Sequence, residues 1–409
     1  NFIECHKRVG DDIKTYFKTK LYVGYSGKEH NQYNGLRIVN EKTQYSNDTN
    51  LKEFEINPIG AGPFNLFKHS DMNKRQILKS FDSYMYSPYI KSMQVEYNSL
   101  RSDHTNDLKL NIVNLVIDIP YREDLKKDEK FEIKSYHNNS VNLLFVNHNN
   151  KYLSNLNFRK AIAFLIHKEA IKKSAFKNRC KLIDSPVTLQ SSRFNPHIEG
   201  YDLSKKKAIK TVKKLISKED KFKFEGKGKK QKLFFKNSDK WEQVELRIAY
   251  NYNGVSEAER TALNNIRDAL KSAGIKVSLK GVNSSNWESK QNNPKTWHLL
   301  YDRITIDEGQ SLHSWYAKKG RFNKKSTKYY NPVVDQLIIS ENNNKLNPAK
   351  AIGNGKQLMR VLSDDVASIF LWSIDSYYAY NKEVFSPENN LLINYYDFFS
   401  SPHKWKLIK

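Results

Sequence analysis

The sequence predicts an α/β protein of two lobes or more, and three observations lead there. Its 409 residues exceed what one core normally organises. Segments of strand and helix character alternate along it, as α/β architecture requires. Residues 244–279 carry a complete strand–helix–strand pattern, whose two strands pair in parallel across a crossover. With 38% hydrophobic and 12% aromatic residues, the chain has the means to bury substantial cores.

In chain order, the first marked feature is Asn57-Pro58-Ile59-Gly60-Ala61-Gly62-Pro63-Phe64. Gly60 and Gly62 permit positive φ or close backbone approach, and Pro63 stiffens the exit into a strand. The spacing is not that of a nucleotide-binding loop, so the segment reads as structural. Residues 112–119 form a mostly apolar strand ending at Pro120, and residues 141–146 form another, apolar enough to be buried on both faces. From Asn157 the period changes. Phe158, Ile162 and Leu165 share one face, which predicts a helix over 157–173. Ser256-x-x-Glu259 is a capping box, Leu263, Ile266 and Leu270 make the apolar stripe behind it, and Gly274 supplies the stop. Strands over 244–250 and 275–279 flank this helix.

The formal net charge of +25 raises nucleic acid or an anionic surface as a partner. The lysines are spread along the whole chain, however, and the densest run, residues 221–232, has the glycine punctuation of a surface loop or hairpin. Cys5 and Cys180 have neither metal-site nor redox spacing, and they read as ordinary cysteines without a disulfide. No run approaches the roughly 18 apolar residues of a membrane span, so the chain is expected to be soluble. There is no G-x-S-x-G, H-E-x-x-H or Walker loop, and an enzyme is not expected.

A set of motifs in consistent order resembles the oligopeptide/dipeptide-binding extracellular solute-binding proteins of ABC importers. The glycine turn is similar to that family's V-G-T-G-P-Y. Phe145-Val146-Asn147 followed by residues 156–169 resembles its strand and D-V-R-x-A-L-x-x-A-I-D-R helix. His167 stands where the family has aspartate, and Arg159 reads as a structural ion-pairing residue. Ser185-Pro186, Tyr201-Asp202-Leu203-Ser204 with Ala208, Val212 and Leu215, Ala273-Gly274-Ile275-Lys276-Val277, Tyr330-Asn331-Pro332-Val333-Val334-Asp335 and the ending His403-Lys404-Trp405-Lys406 continue the likeness. Against that pattern the sequence is expected to begin inside it, without the first strands of lobe I and most of the small intermediate domain, as a fragment or as a shortened relative.

The resemblance implies a two-lobed, type II periplasmic-binding-protein-like α/β fold with a large second lobe and a hinge. It divides the chain into an N-terminal remnant (1–57), part of lobe I (58–150), lobe II (151–383) and a C-terminal return to lobe I (384–409). It implies a non-catalytic component that binds oligopeptides between its lobes and delivers them to an ABC permease and its ATPase. No cofactor is implied. The location is extracytoplasmic, periplasmic or at the cell surface, with membrane association through a lipid anchor outside this chain. Matching residues 296–307 to the family puts Asp307 at the anchor for a peptide's α-ammonium group, a charge-assisted bond. Ile304, Thr305 and Ile306 become a strand edge for the peptide backbone, and Tyr250, Asn251 and Trp372 become wall residues. Residues 307–309 also read as a plain turn. Two alternatives stay open. One is a metal chelate or haem, with His298 and His313 beside the cleft. The other is a basic protein that binds nucleic acid or a surface.

Overall fold

The computed structural model describes residues 2–9, 12–22, 37–40, 62–70, 75–81, 83–96, 104–136, 139–202, 205–226, 228–344, 346–387 and 402–408. The chain divides into two compact units, one spanning Ser135–Tyr377 and the other drawn from the flanking sequence.

The flanking unit is built from small sheets. Phe2–Val9, Asp12–Tyr22 and Arg37–Asn40 pair antiparallel, as do Phe64–Ser70, Arg75–Ser80 and Ser92–Glu96. The strand expected over 112–119 starts three residues late, at Leu115. A helix, His104–Lys109, runs into a turn in which Asn111 takes a left-handed φ of 57°, and Ile112 is left exposed. Apolar character alone did not mark that turn. The segment 57–61 lies outside the described residues. At Gly62 a Cβ would meet nothing within 4 Å and no positive φ occurs, so neither reason for a glycine applies there.

The Ser135–Tyr377 unit is organised by one six-stranded mixed sheet with a core on each face. Its strands are β1 (Ser140–Val146), β2 (Cys180–Leu182), β3 (Glu245–Asn251), β4 (Lys276–Val282), β5 (Leu299–Thr305) and β6 (Ser368–Ile374). Their spatial order is β2-β6-β1-β5-β3-β4. β1 is the central strand and is buried along nearly its whole length, as its apolar run predicted. Helices cover both faces: α1 (Leu156–Leu165), α2 (Lys168–Ser174), α3 (Glu257–Ser272), α4 (Ser284–Gln291), α5 (Pro332–Asn343) and α6 (Pro348–Asp364). One core gathers Leu144, Val146, Phe158, Ile162, Leu263, Ile266, Leu270 and Tyr301. The other gathers Val141, Leu143, Phe145, Trp297, Leu300, Ile338 and Leu358.

The helix expected over 157–173 is two helices. Asn155 caps α1 by accepting from Phe158 N–H at 2.8 Å, and the chain leaves helical geometry at Ile166. His167 then sits at the N-cap of α2 without a side-chain cap bond, where an aspartate would have supplied one. Arg159 is structural, as expected: its buried guanidinium donates to Leu153 O (3.0 Å), Ser154 O (3.1 Å), Asp365 O (2.7 Å) and the Asp365 carboxylate (3.0 Å). The lysine-rich run forms a hairpin of Phe222–Glu225 against Lys232–Asn237. Its rings face inward, with Phe222 stacked on Phe158 at 4.9 Å, so they are not presented to nucleic-acid bases. Cys180 is buried and free, its thiol pushed up to about 12 by burial first and then by Asp375; of Cys5 only the backbone is described. No helix among the described residues is long and apolar enough to cross a membrane.

The β3–α3–β4 unit matches its sequence pattern. Ser256 Oγ accepts from Glu259 N–H at 3.2 Å while Glu259 Oε2 accepts from Ser256 N–H at 2.8 Å, and β3 pairs parallel with β4. Gly274 ends α3 with φ +86°, and a Cβ there would lie 2.7 Å from Gln231 O and 2.8 Å from Lys232 Cα. Gly274→Ala therefore meets both left-handed strain and a backbone clash. It is expected to cost about 2 kcal/mol or more, read as a lowered midpoint in chemical denaturation; an unchanged midpoint would show that the hairpin backbone yields freely.

Candidate functional site

The site begins with the alternation of β5. Leu299 and Tyr301 enter the core under α3, whereas Leu300, Ile304 and Ile306 enter the opposite core with Trp287 and Trp297. Ile304 and Ile306 thus spend their side chains on packing, each worth about 1.5–3 kcal/mol of burial. Neither is presented to solvent.

The two neighbours of β5 end at different points. Antiparallel β1 accompanies it along its full length, from Leu299↔Val146 to Thr305↔Ser140. Parallel β3 accompanies it only from Ile248↔Leu299 to Tyr250↔Tyr301. From Asp302 onward, one side of β5 has left its partner strand. Backbone parity assigns the groups on that side. Ile306 N–H donates to Asn139 O at 3.2 Å, so the even-numbered residues direct their peptide groups at β1 and the odd-numbered ones face the side that β3 has vacated. Those are Arg303 and Thr305. The N–H of Arg303 donates to its neighbour's carboxylate, Asp302 Oδ1, at 2.8 Å.

Immediately beyond β5, Asp307 to Gln310 form a tight turn. Gln310 N–H donates to Asp307 O (3.0 Å), Asp307 N–H donates to Gln310 Oε1 (3.0 Å), and Gly309 adopts φ +76°. The turn and the strand end are therefore continuous, and the partly buried Asp307 sits at their junction. The loop containing Ser191 to Arg193 holds the turn in place. Arg193 donates to Asp307 O at 3.2 Å and Gln310 O at 2.8 Å, and pairs with Glu341 of α5 at 3.2 Å. Ser191 Oγ donates to the Glu308 carboxylate at 2.9 Å, and Ser192 donates through both its N–H and its hydroxyl. Burial would push the Glu308 carboxyl up, but these bonds and Arg193 outweigh it and hold it below its ordinary value. No periodicity in the sequence marks Arg193; the one signal is Gly355 on α6, where a Cβ would lie 2.6 Å from the Arg193 Cγ.

Beneath the strand end lies a buried carboxylate that sequence reasoning saw only as a cap. Glu259 Oε1 accepts from Asn142 Nδ2 (3.0 Å), Tyr301 OH (3.0 Å) and Arg303 Nη2 (3.4 Å), while Oε2 accepts from Ser256. On the opposite face, the Asp302 carboxylate accepts from Arg303 N–H and from Gln291 of α4. Burial pushes the Asp302 carboxyl up to about 6, against the lowering effect of the Arg303 N–H, Gln291 and Trp287.

The remaining expected residues divide. Tyr250 is paired with Tyr301 in register and is partly buried against the α3-side core. Asn251, at the end of β3, accepts from Gly254 N–H (3.1 Å) and Ser284 Oγ (3.0 Å), so its carbonyl shapes the loop leaving that strand. Trp372 is fully buried in β6, its indole packed near Phe176 at 4.9 Å and Tyr301 at 6.3 Å. His298 accepts from Arg247 N–H at 3.2 Å, and burial, then Arg247, push its imidazole down to about 4. His313 is exposed at the start of a short helix, His313–Tyr316. Among the described residues, no group of three or more His, Cys, Asp or Glu is placed to hold a metal ion.

The sequence pattern of the bacterial extracellular solute-binding proteins, family 5, middle part, matches residues 12–323. Solved structures with similar folds include the ABC transporter substrate-binding protein CtaP of Listeria monocytogenes (17% identity, TM-score 0.70, covering 87% of this chain and 68% of that one). The oligopeptide-binding protein AppA of Bacillus subtilis, solved with a nonapeptide, is 18% identical at TM-score 0.61, covering 88% and 69%. NikZ of Campylobacter jejuni, solved with Ni(L-His), is 18% identical at TM-score 0.64, covering 87% and 69%. No curated protein matches the chain. The mixed α/β fold of the two-lobed, type II binding proteins is thereby borne out.

Asp302 holds its proton more tightly in the folded chain than an ordinary unfolded aspartate near 3.9. Its protonated form thus contributes stability that is fully present below about pH 4 and is lost as pH rises through about 6. Asp302→Asn, neutral at every pH, is expected to gain on the order of 2 kcal/mol relative to the parent at pH 8 and nothing at pH 4. Denaturant titrations at the two pH values measure this, and the same difference at both would remove the assignment. Gly355→Ala, which crowds the Arg193 stem, is expected to cost about 1–3 kcal/mol and to loosen the Asp307 turn, visible as faster amide exchange at Asp307 and Gln310.

Proposed function

Because this chain belongs to the bacterial extracellular solute-binding proteins of family 5, the substrate-binding components of ABC importers, we propose that its solute is an oligopeptide held in extended form against β5. Such components bind a solute outside the cytoplasmic membrane and pass it to a membrane permease driven by an ATPase; they are not enzymes.

The observation that carries the peptide reading is the unequal pairing of β5. Past Tyr301 the strand keeps β1 on one side and has lost β3 on the other. An extended peptide laid along that side meets the carbonyl of Arg303, whose N–H is held by Asp302, and the backbone of Thr305, as in strand addition. Main-chain bonds of this kind accept many sequences, because they ask nothing of the peptide's side chains. The strand then delivers the peptide's end to the Asp307 turn. There, a carboxylate on a turn clamped by Arg193 is suited to an α-ammonium group. In this arrangement Thr305 supplies edge groups and Asp307 the anchor, while Ile304 and Ile306 act from below, keeping the strand flat against its core. Tyr250 and Asn251 border the place where β3 departs.

A metal chelate is the competing solute, since NikZ, with a similar fold, was solved holding Ni(L-His). His298 is buried and its Nδ1 already accepts from the Arg247 N–H, which disfavours that residue as a ligand. Asp307→Ala is expected to weaken binding of free-amine peptides at least tenfold, since a charge-assisted bond contributes roughly 1.5–3 kcal/mol, and to leave N-acetylated peptides little changed. Thr305→Pro removes one edge N–H while remaining compatible with an edge position, and is expected to weaken both kinds. Isothermal titration with a defined peptide set and with nickel–histidine decides between the readings. Tight nickel–histidine binding with no peptide uptake would reject the peptide, and equal affinity of acetylated and free peptides for the parent chain would reject the anchor.

A further inference from the structure

Between Glu308 and Asp335 the chain has no acidic residue, yet it carries Lys318, Lys319, Arg321, Lys324, Lys325 and Lys328. All six are exposed, and none forms an ion pair among the described residues. Arg321, Lys324, Lys325 and Lys328, with Asn292 at the end of α4, line an open, shallow concavity of about 560 Å³. α4 itself carries one cation, Lys290, and one carboxylate, Glu288. Lys290 is pushed down from its ordinary value by burial and then by repulsion from Arg247 and Lys280.

This is a fixed display of charge. Buried Asn323 nails the loop from inside: its Nδ2 donates to Ala317 O (2.9 Å) and Tyr329 O (2.8 Å), and its Oδ1 accepts from Thr327 Oγ1 (2.6 Å) and Tyr329 N–H (2.7 Å). Ser326, Thr327 and Tyr329 are turned inward while Lys324, Lys325, Lys328 and Tyr330 are turned out. Tyr330 is 55% exposed, with the Lys318 ammonium 4.5 Å above its ring. A ring with one polar end beside a row of cations suits a bilayer interface.

We propose that this basic face, with Lys324, Lys325 and Lys328 at its centre, docks the protein on the phosphate headgroups of an anionic lipid bilayer. The partner follows from chemistry and workplace together. Unpaired cations lining a concavity fit phosphate oxygens, and a solute-binding component of an importer works beside the membrane that holds its permease. A nucleic acid would be expected to find stacking rings on the face, and Tyr330 alone is outward there. Each cation brought to an anionic surface adds roughly fivefold to partitioning, with the effect fading beyond about one Debye length.

The test is co-sedimentation of the full chain with phosphatidylcholine vesicles, with and without phosphatidylglycerol, at low and physiological salt. Binding is expected only with phosphatidylglycerol and is expected to fall as salt rises. The variant Lys324→Glu/Lys325→Glu/Lys328→Glu is expected to lose at least tenfold. A control of equal charge change on the exposed lysines of the helix Lys205–Ile216, Lys210→Glu/Lys213→Glu/Lys214→Glu, is expected to lose less than threefold. Equal losses in the two variants would overturn the proposal in favour of net charge alone. So would absence of binding by the parent chain, or patch-dependent binding to duplex DNA without binding to vesicles. If Lys328→Glu perturbs its loop, as near-ultraviolet circular dichroism would show, Lys324→Gln/Lys325→Gln is read by the same criterion. The outcome is independent of which solute the protein carries.

Discussion

The arrangement of the large unit depends on one buried carboxylate. Glu259 lies in the first turn of α3, where the helix dipole and the unpaired N–H groups favour negative charge. Its two oxygens are shared among the cap residue Ser256, Asn142 of the central strand, and Tyr301 and Arg303 of β5. Burying a carboxylate is costly unless nearly every lone pair is engaged. Here the donors come from three separate elements, so satisfying the charge requires α3, β1 and β5 to meet in one registration. That registration determines where the β3–α3–β4 crossover begins and hence how far β3 follows β5. The departure of β3 after Tyr301 is the counterpart of α3 starting where it does.

Local signals in the sequence were read correctly where the cause is local. The cap at Ser256, the apolar stripe of Leu263, Ile266 and Leu270, and the stop at Gly274 are contained within one helix, and they predicted α3 closely. β1 is legible because a strand buried on both faces needs a nearly continuous apolar run, here broken only by Asn142 within 141–146. Asn331-Pro332, matched in the sequence only as part of a family motif, begins α5, with the Asn331 side chain accepting from Val333 N–H. The errors occurred where an apolar run crosses a break. Ile166 continues the pattern of α1 but belongs to the joint before α2, and Ile112 looks like strand yet lies in a turn.

The site was less legible, for a physical reason. Which strands flank β5, and where β3 ends, depends on residues about 50 positions away in β3 and up to 165 away in β1, and no pattern within β5 records it. The run 304–307 was found through resemblance, but the division of labour within it comes from backbone parity against Asn139. Arg193 was missed because its partners, the carbonyls of Asp307 and Gln310, exist only once the turn is formed. The overall charge of +25 also concealed more than it revealed, since cations whose partners balance them and cations left unbalanced look the same in a composition.

The strand order β2-β6-β1-β5-β3-β4 has a consequence for how the unit comes into being. β1 is the first of these strands in the chain and the innermost in the sheet, but its two neighbours are among the last. Ser140 meets Thr305 across a separation of 165 residues, and Arg159 reaches Asp365 across 206. Closing spans of that length precedes most of the packing they reward, which makes for slow folding. Until β5 and β6 arrive, both edges of the most apolar strand are open to any other strand that passes. The topology thus leaves the future centre of the sheet without its neighbours until the last of its strands has been made, so whatever shields β1 in that interval bears on folding alongside the stability of the finished sheet.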